Sequence, residues 1–217
     1  MGSKQLVQSL IDSGVLKTPA IISAFLNINR ADFVLPEFKA QAYLDEPLPI
    51  GYGQTISQPW TVAFMLELLE PGLGHRILDI GSGSGWQSAL LSHIVSRDED
   101  GLTVNQAGRV FGIEFIPELA RQSRINISQY NFLKKKILTI HCLNGDRGLP
   151  QEAPFDRIIS AAALGDEIPK DWEKQLKVGG RLVTPIGSEI CLLVKTGDND
   201  FVRQNHKGFS FVPFVES

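Results

Sequence analysis

The sequence predicts an α/β fold, in which helices cover both faces of a mostly parallel β-sheet. The main observation is that short apolar strands alternate with helical segments from residue 76 onward, a pattern typical of parallel sheets. A polar turn at 197–200 separates two apolar strands near the C-terminus and predicts an antiparallel hairpin there. Two helical patterns within 4–26, broken at 13–14 and 18–19, predict helices at the N-terminus.

The remaining elements follow in order along the chain. Residues 27–54 are rich in proline and glycine, which predicts an irregular segment, and 59–69 predict an amphipathic helix that ends before Pro71. The predicted strands lie at 76–80, 109–114, 137–142, 155–162, 180–187, 189–195, 201–205 and 209–215. The predicted helices between them lie at 87–95, 117–130 and 169–176.

Composition limits the class of protein. The chain of 217 residues carries a net charge of −3 with 43% hydrophobic residues, which suits one soluble domain without a basic nucleic-acid surface. No apolar run approaches the roughly 18 residues that span a membrane, and the N-terminus lacks a leader pattern. Cys142 and Cys191 are expected to be free thiols, and the histidines show no metal-ligand spacing. We therefore expect a cytoplasmic protein that binds no metal, nucleic acid or membrane.

A glycine-rich loop is the strongest candidate for a ligand site. The stretch "LDIGSGSGWQSALL" follows a predicted strand and opens a helix, so Gly81, Ser82 and Gly83 are expected to contact a ligand. Such a loop alone can be no more than a tight turn. The preceding strand, the following helix and an acid at the end of the next strand favour a nucleotide-type site.

The acids around this loop favour S-adenosylmethionine over a dinucleotide. Trp86 occupies the position of the third glycine of the dinucleotide pattern, and Asp79 would place a negative charge beside a pyrophosphate. A sulfonium and an ammonium would instead be attracted to Asp79. Glu114 can accept both ribose hydroxyls, and we expect Gly145 and Asp146 to bind the cofactor, with Asp146 accepting from the adenine amino group.

Several segments together resemble the protein-L-isoaspartate O-methyltransferase family, from about residue 29 to residue 214. The matching segments are "RADFVLPEFKAQAYLDEPLPIGYGQTISQP", "ILDIGSGSGW", "VFGIE", "NGDRG", "APFD", "GGRLVTPIG" and "FVPF". The glycine motif alone indicates only a class I methyltransferase, whereas "GYGQTIS" is specific to the family. The resemblance implies a class I methyltransferase-like (Rossmann-like) seven-stranded sheet with a reversed hairpin.

The resemblance also implies an activity and further site residues. The implied enzyme uses S-adenosylmethionine to methylate the free carboxylate of L-isoaspartyl or D-aspartyl residues in damaged proteins, which initiates their repair. Ser57 matches the active-site serine, and Gln54, Thr55 and Ile56 match the stretch that lines cofactor and substrate. The family often has a histidine where this chain has Trp60. The loop at 96–108 is longer than is usual in the family and is assigned no function.

The expected organisation is one monomeric methyltransferase domain over 1–217. Within it, 1–58 form an N-terminal helical and substrate-side segment, and 59–217 form the cofactor-binding α/β core. The expected partners are peptides and proteins that contain isoaspartyl residues.

Ser57 has no base beside it in the sequence, which the implied chemistry explains. A free α-carboxyl group has a pKa near 3.5, so only about one in three thousand is protonated at pH 7. A general base would have no proton to remove, and Ser57 is expected to orient the carboxylate with its hydroxyl. The alternative is that Ser57 caps the following helix, a role that could coexist with the first.

Three alternative functions stay open at this point. Another carboxyl or small-molecule methyltransferase on the same fold would share every cofactor residue. A nucleotide-dependent oxidoreductase is opposed by Trp86 and by the lack of a recognisable hydride site. A non-catalytic S-adenosylmethionine-binding module would bind the cofactor without turnover.

Overall fold

The computed structural model describes residues 2–96 and 107–211. Helices α1 (Ser3–Asp12) and α2 (Pro19–Asn27) form the N-terminal pair that the sequence predicts. The amino end of α2 is capped from outside: Glu67 accepts hydrogen bonds from the backbone N–H groups of Lys17 and Thr18, both at 2.8 Å. The N-terminal pair is therefore fixed to the helix that carries Glu67.

Residues 28–58 contain more regular structure than the predicted irregular segment. Two 3-10 turns, Arg30–Asp32 and Pro36–Gln41, precede a small antiparallel hairpin of β1 (Leu48–Gly51) and β2 (Gln54–Ile56). This hairpin is not apparent in the sequence because its strands are short and its Tyr-Gly turn lacks the usual Asn-Gly or Asp-Gly signature. Both turn residues have positive φ, 55° at Tyr52 and 70° at Gly53, as a two-residue hairpin turn requires.

The rest of the chain alternates helices and strands as predicted. Helix α3 (Pro59–Leu69) follows the hairpin directly. The strands and helices after it are β3 (Arg76–Ile80), α4 (Trp86–Ser96), β4 (Arg109–Glu114), α5 (Pro117–Ile127), β5 (Leu138–Cys142), β6 (Phe155–Ser160), α6 (Lys170–Gln175), β7 (Leu176–Ile186), β8 (Glu189–Lys195) and β9 (Phe201–Lys207).

These strands β3 to β9 form one seven-stranded sheet in the order β5-β4-β3-β6-β7-β8-β9. The first five are parallel, whereas β8 and β9 pair antiparallel, which confirms the predicted fold class. Strand β3 lies between β4 and β6, so the chain leaves β3 in one direction and later returns on its other side. Open α/β sheets bind ligands at such a reversal, outside the carboxyl ends of the strands.

The sheet separates two buried clusters. Ile77 of β3 belongs to the larger cluster, to which helices α1 to α5 contribute, whereas its neighbour Leu78 belongs to a second cluster with Trp172 of α6. This alternation follows from the period of two along a strand. Because both faces are covered, the carboxyl ends of the central strands are held in fixed positions.

Some predicted boundaries differ from the observed ones. Helix α5 ends at Ile127 and a 3-10 turn continues to Tyr130, while β7 begins four residues earlier than predicted. Residues 209–211 of the predicted last strand lie outside any strand, and 212–215 lie outside the described residues, as do 97–106 of the long loop. Within the described parts of the chain, no helix is long and apolar enough to cross a membrane.

Candidate active site

A cavity opens where the central parallel strands end. The loop after β3, the residues after β4, β5 and β6, and the β1–β2 hairpin all contribute to its wall. The lining residues are Ile50, Gln54, Thr55, Ile80, Gly81, Gly83, Ile113, Glu114, Phe115, Ile116, Gly145, Ala161 and Ala162. The structure therefore brings six of the sequence-predicted site residues to one cavity.

The backbone of the glycine loop faces this cavity. Gly83 has φ of +53°, and a Cβ atom there would lie 3.2 Å from Cδ1 of Ile50 in the β1–β2 hairpin. Gly85 is required for a different reason, because its Cβ would lie 2.7 Å from Cδ1 of Ile127 in α5. Gly83 thus allows the loop to lie close to the hairpin, and Gly85 allows the following helix to pack on α5.

Glu114 presents its carboxylate at the cavity wall. Oε2 accepts a hydrogen bond from the N–H of Gly83 at 2.8 Å, and Oε1 accepts one from Ile116 at 2.9 Å. Burial raises the pKa of Glu114, and these hydrogen bonds act in the opposite direction. Each carboxylate oxygen has a second lone pair, so Glu114 can accept two further hydrogen bonds from ligand hydroxyls.

Asp79 lies behind the loop and does not line the cavity. Its carboxylate is fully buried and accepts hydrogen bonds from Gln87 Nε2 at 2.8 Å and from Ser88 Oγ at 2.5 Å. Burial raises the pKa of Asp79 to about 6, and the nearby charge of Glu114 adds to this increase. Asp79 can therefore affect a ligand through its charge, without direct contact.

Gly145 and Asp146 occupy different surroundings. Gly145 lines the cavity, and its carbonyl accepts a hydrogen bond from Trp172 Nε1 at 2.9 Å. Asp146 is exposed, and its Oδ1 accepts from the backbone N–H of Arg147 at 3.0 Å, so its carboxylate does not line the cavity. The adenine contact assigned to Asp146 stays a prediction.

Ser82 provides a test of whether a polar ligand fits this region. Its Oγ is buried and has no hydrogen-bond partner within the part of the chain that the structure describes. It lines a small cavity between the glycine loop and β2, together with Ile56 and Ser57. A buried hydroxyl without a partner costs free energy that a polar ligand could recover. The donor and acceptor groups of this region fit S-adenosylmethionine.

A further cavity adjoins the first one and contains Ser57. Its wall consists of Pro47, Thr55, Ser57, Gln58, Thr61, Ala161, Ser210 and Phe211. Thr55 and Ala161 line both cavities, so the two spaces meet at these residues. The described residues around the second cavity are all neutral, and their polar groups are hydroxyls, an amide and backbone. The described part of its wall can therefore orient an anion and contains no side chain that would remove a proton at pH 7.

The capping role that the sequence allowed for Ser57 is wrong. Helix α3 begins at Pro59, and Gln58 occupies the N-cap position. The first turn is satisfied from elsewhere, because Asp45 Oδ1 accepts from the N–H of Trp60 at 2.8 Å. Trp60 itself is half-buried and stacks on Phe64, with 5.4 Å between the ring centroids. Ser57 therefore lies one residue before the N-cap and lines the second cavity.

Two sets of site residues were missed in the sequence. Ala161 and Ala162 follow β6 at the carboxyl edge, so the rule that identified Glu114 could have found them. Arg30 gave no signal, because it is a single basic residue in an irregular segment. In the structure it is only 2% exposed and donates to the backbone carbonyl of Ser57 at 3.1 Å. Burial lowers the pKa of Arg30 to about 10, so the guanidinium remains charged at neutral pH.

The sheet order, the glycine loop and the acid at the end of the adjacent strand define a class I methyltransferase. A family model described as "Protein-L-isoaspartate(D-aspartate) O-methyltransferase (PCMT)" matches residues 1–217. The chain belongs to this family of enzymes.

Relatives and solved structures agree with this assignment. The chain is 37% identical over 216 residues to protein-L-isoaspartate O-methyltransferase of Staphylothermus marinus, covering 98% of this chain and 93% of the relative. It is 38% identical over 216 residues to the enzyme of the same name from Methanopyrus kandleri, covering 98% and 90%.

Two solved structures have the same fold over nearly the whole chain. One is a candidate protein-L-isoaspartate O-methyltransferase of Plasmodium falciparum in complex with S-adenosyl-L-homocysteine, with a TM-score of 0.86, 22% identity and complete coverage of both chains. The other is named protein-L-isoaspartate O-methyltransferase, with a TM-score of 0.82 and 26% identity, covering 99% of this chain and 66% of that one.

Proposed function

We propose that this chain transfers a methyl group from S-adenosylmethionine to the free carboxylate of L-isoaspartyl residues in damaged proteins, and that D-aspartyl residues are a second acceptor. Methylation of this carboxylate is the step that initiates repair. Family membership supports the reaction, and one structural observation supports the site: the cavity with Ser57 meets the cavity with Glu114 at Thr55 and Ala161. Donor and acceptor can thus lie side by side.

The cofactor side would be held by the residues around the glycine loop. When bound, S-adenosylmethionine supplies a methyl group on a positively charged sulfur. Glu114 would accept the ribose hydroxyls, and the negative charges of Asp79 and Glu114 favour a cationic ligand. The other residues assigned to cofactor binding are Gln54, Thr55, Ile56, Gly81, Ser82, Gly83, Gly145 and Asp146.

The acceptor side has to orient a group that is already ionised. An isoaspartyl α-carboxylate has a pKa near 3.5 and needs no base at pH 7, which suits a cavity whose described side chains are neutral. Ser57 would donate a hydrogen bond to one carboxylate oxygen and leave the other free to react. Its contribution is positioning, because the reacting atoms must be close and in line.

The organisation of the chain is part of the same proposal. Residues 1–217 would act as one domain, in which 1–58 supply the acceptor side and 59–217 the cofactor-binding core. The monomeric state, the cytoplasmic location and the lack of nucleic-acid or membrane partners remain predictions.

The decisive experiment offers one peptide in isoaspartyl and aspartyl forms, with radiolabelled S-adenosylmethionine. The two peptides carry equally ionised carboxylates, so only their placement differs, and misplacement by about 1 Å costs orders of magnitude in rate. We expect the isoaspartyl form to be strongly preferred. With a saturating peptide, kcat should show no acid limb near pH 6.5, because the reaction requires no histidine-like base.

Other outcomes would identify the alternatives. Equal methylation of both peptides would indicate a general carboxyl methyltransferase on the same fold. Tight S-adenosylmethionine binding without turnover on either peptide would indicate a binding module. A single steep ionisation of kcat near pH 6.5 would show that a base takes part in the reaction.

A further inference from the structure

Arg30 carries a buried positive charge and lies between the segments that support the two cavities. Arg30 belongs to a short 3-10 turn, and its side chain is almost completely removed from water. Burying a charge is costly unless hydrogen bonds compensate for lost hydration. The partners that compensate Arg30 therefore indicate what this residue holds in place.

The partners on one side are backbone carbonyls of the acceptor-side segment, defined here as residues 42–58. Nη1 donates to the carbonyls of Ala42 at 2.8 Å and Leu44 at 3.4 Å, and Nη2 donates to those of Glu46 at 2.8 Å and Ser57 at 3.1 Å. Three of these four carbonyls lie in the irregular stretch from Ala42 to Pro47, and the fourth, that of Ser57, follows β2. The charge-assisted hydrogen bonds from the planar guanidinium replace the backbone hydrogen bonds that a helix or strand would provide.

The partner on the other side is the residue that follows the glycine loop. Arg30 Cζ lies 5.3 Å from the centroid of the Trp86 ring, within the range of a cation–π contact. Trp86 is the first residue of α4 and is 3% exposed, packed edge-on against Phe25 of α2. Arg30 thus contacts both the backbone of Ser57 and the helix that begins at the cofactor loop.

We propose that Arg30 is a positioning residue for methyl transfer, which sets the placement of Ser57 relative to the glycine loop. It touches neither cavity, so it acts through Ser57 and not on the reacting atoms. The inference rests on the proposed function, because it assumes that Ser57 orients an acceptor carboxylate. Because in-line transfer is sensitive to small displacements, a loosened Ser57 lowers the rate of transfer more than cofactor binding.

Arg30→Lys is the main test variant. Lysine keeps the charge but has one nitrogen, so it cannot hold the carbonyls of Ala42, Glu46 and Ser57 together. We expect kcat for the isoaspartyl peptide to fall about 10- to 100-fold. The Kd for S-adenosylhomocysteine, measured by calorimetry, should change less than about threefold, because a cation remains beside Trp86.

A double-variant cycle shows whether Arg30 acts through Ser57. Ser57→Ala removes the hydroxyl but leaves the carbonyl that Arg30 holds, so the two changes are separable. If Arg30 positions that hydroxyl, Arg30→Lys should reduce the kcat of Ser57→Ala by less than about threefold. If the two losses instead multiply, Arg30 does not act through Ser57 and the inference is wrong.

Arg76→Lys is the matched control. Arg76 also combines a backbone acceptor, the carbonyl of Glu152 at 2.5 Å, with an aromatic ring, Phe111, at 5.0 Å, but it lies at the amino end of β3. We expect this variant to lower Tm without changing kcat. The same result for Arg30→Lys would show a merely structural role and overturn the inference.

Failure of the variant to fold and failure of the wild-type reaction have different consequences. If Arg30→Lys does not fold, Trp86→Phe replaces it. This variant keeps the four carbonyl bonds and weakens the contact of the ring with Arg30, together with its packing against Phe25. The same lack of multiplication with Ser57→Ala is then expected, and losses that multiply would contradict the inference. If the wild-type protein does not methylate the isoaspartyl peptide, the proposed function fails and the inference fails with it. Wild-type activity together with an unchanged kcat in Arg30→Lys would contradict the inference alone.

Discussion

The glycine loop, residues 81–85, and the acceptor-side segment, residues 42–58, meet at one site but are built in different ways. The loop joins a buried strand to a helix, and its backbone N–H groups donate mainly to the end of β4, as from Gly81 to the carbonyl of Ile113 and from Gly83 to the carboxylate of Glu114, both at 2.8 Å. Asn126 of α5 donates to the Ser84 carbonyl at 3.0 Å. The acceptor-side segment has a short hairpin and depends on side-chain contacts between residues that are far apart in the sequence. Arg30 donates to its carbonyls, and its own Asp45 accepts from the N–H of Trp60 at the start of α3.

The difference shows how each half of the reaction is supported. In the proposed reaction, cofactor binding would use backbone groups and a buried acid that the sheet edge fixes in place. Acceptor placement would use one hydroxyl whose position depends on contacts between separate segments. We therefore expect variants of the first region to alter mainly affinity and variants of the second region to alter mainly rate.

The largest expected effect is that of Glu114→Ala on cofactor affinity. Loss of charge-assisted hydrogen bonds in a partly buried site should weaken S-adenosylmethionine binding by about 2–4 kcal/mol, measured by calorimetry. The circular dichroism spectrum should not change. Asp146→Ala is the comparison variant and should lose less affinity, because Asp146 is exposed and lies outside the cavity wall.

Two results would contradict the predicted role of the glycine-loop region in cofactor affinity. Wild-type affinity in a folded Glu114→Ala protein would show that Glu114 does not bind the ribose. Tighter binding of NAD than of S-adenosylmethionine by the wild-type protein would contradict the cofactor itself.

Ser57→Ala should affect rate and leave affinity nearly intact. Loss of one donor to the acceptor carboxylate should lower kcat/KM for the isoaspartyl peptide by about ten- to a thousandfold. Because Gln58 and Asp45 serve the start of α3, the free energy of unfolding should change by no more than about 0.5 kcal/mol. Ser128→Ala, which removes an exposed hydroxyl far along the chain in α5's terminal turn, is the control and should change neither quantity.

If Ser57→Ala lost as much affinity for S-adenosylhomocysteine as it lost in kcat/KM, cofactor binding and acceptor placement would not be separable. Unchanged kinetics would remove Ser57 from the acceptor site.

The smallest expected effect is a change in the pH dependence of stability in Asp79→Asn. Because burial raises the pKa of Asp79 from 3.8 to about 6, the folded protein binds this proton where the unfolded chain has already lost it. The contribution of Asp79 to the free energy of unfolding therefore falls as pH rises from about 4 to about 6, and it is constant above that range. Urea denaturation should therefore show that the free energy of unfolding of the wild type, relative to that of Asp79→Asn, falls by about 1–3 kcal/mol between pH 4 and pH 6. Identical pH profiles for the two proteins would show that Asp79 titrates normally.

The sequence predicted much of the α/β region because its signals are local. The strand at 76–80, the helix at 59–69 and the strand at 109–114 have the predicted bounds, since apolar runs between helical patterns mark them clearly. The β1–β2 hairpin was missed because three- and four-residue strands carry too little pattern to be recognised.

The candidate site divides along the same line. Glu114 and the glycine loop were predicted from their place after neighbouring strands, and they line one cavity because the carboxyl ends of parallel strands meet at one edge. Their contacts with a cofactor stay a prediction. Ser57 came from the family resemblance, and the sequence allowed a capping role that the position of Gln58 excludes. Asp79 was expected near the ligand; in the structure its carboxylate accepts hydrogen bonds from Gln87 and Ser88, and its effect on a ligand stays a prediction.

The sequence by itself determined the fold class, the position of the glycine loop and the family, because each depends on residues that are neighbours along the chain or that follow consecutive strands. Only the tertiary structure decided what surrounds Ser57. Arg30 and Ala161 reach that region from outside the acceptor-side segment, and Asp45 contacts the start of α3 from 15 residues away; no spacing in the sequence relates them. The physical reason is that a buried guanidinium or a distant capping carboxylate is defined by the backbone groups it satisfies, and these are brought together only when the chain folds.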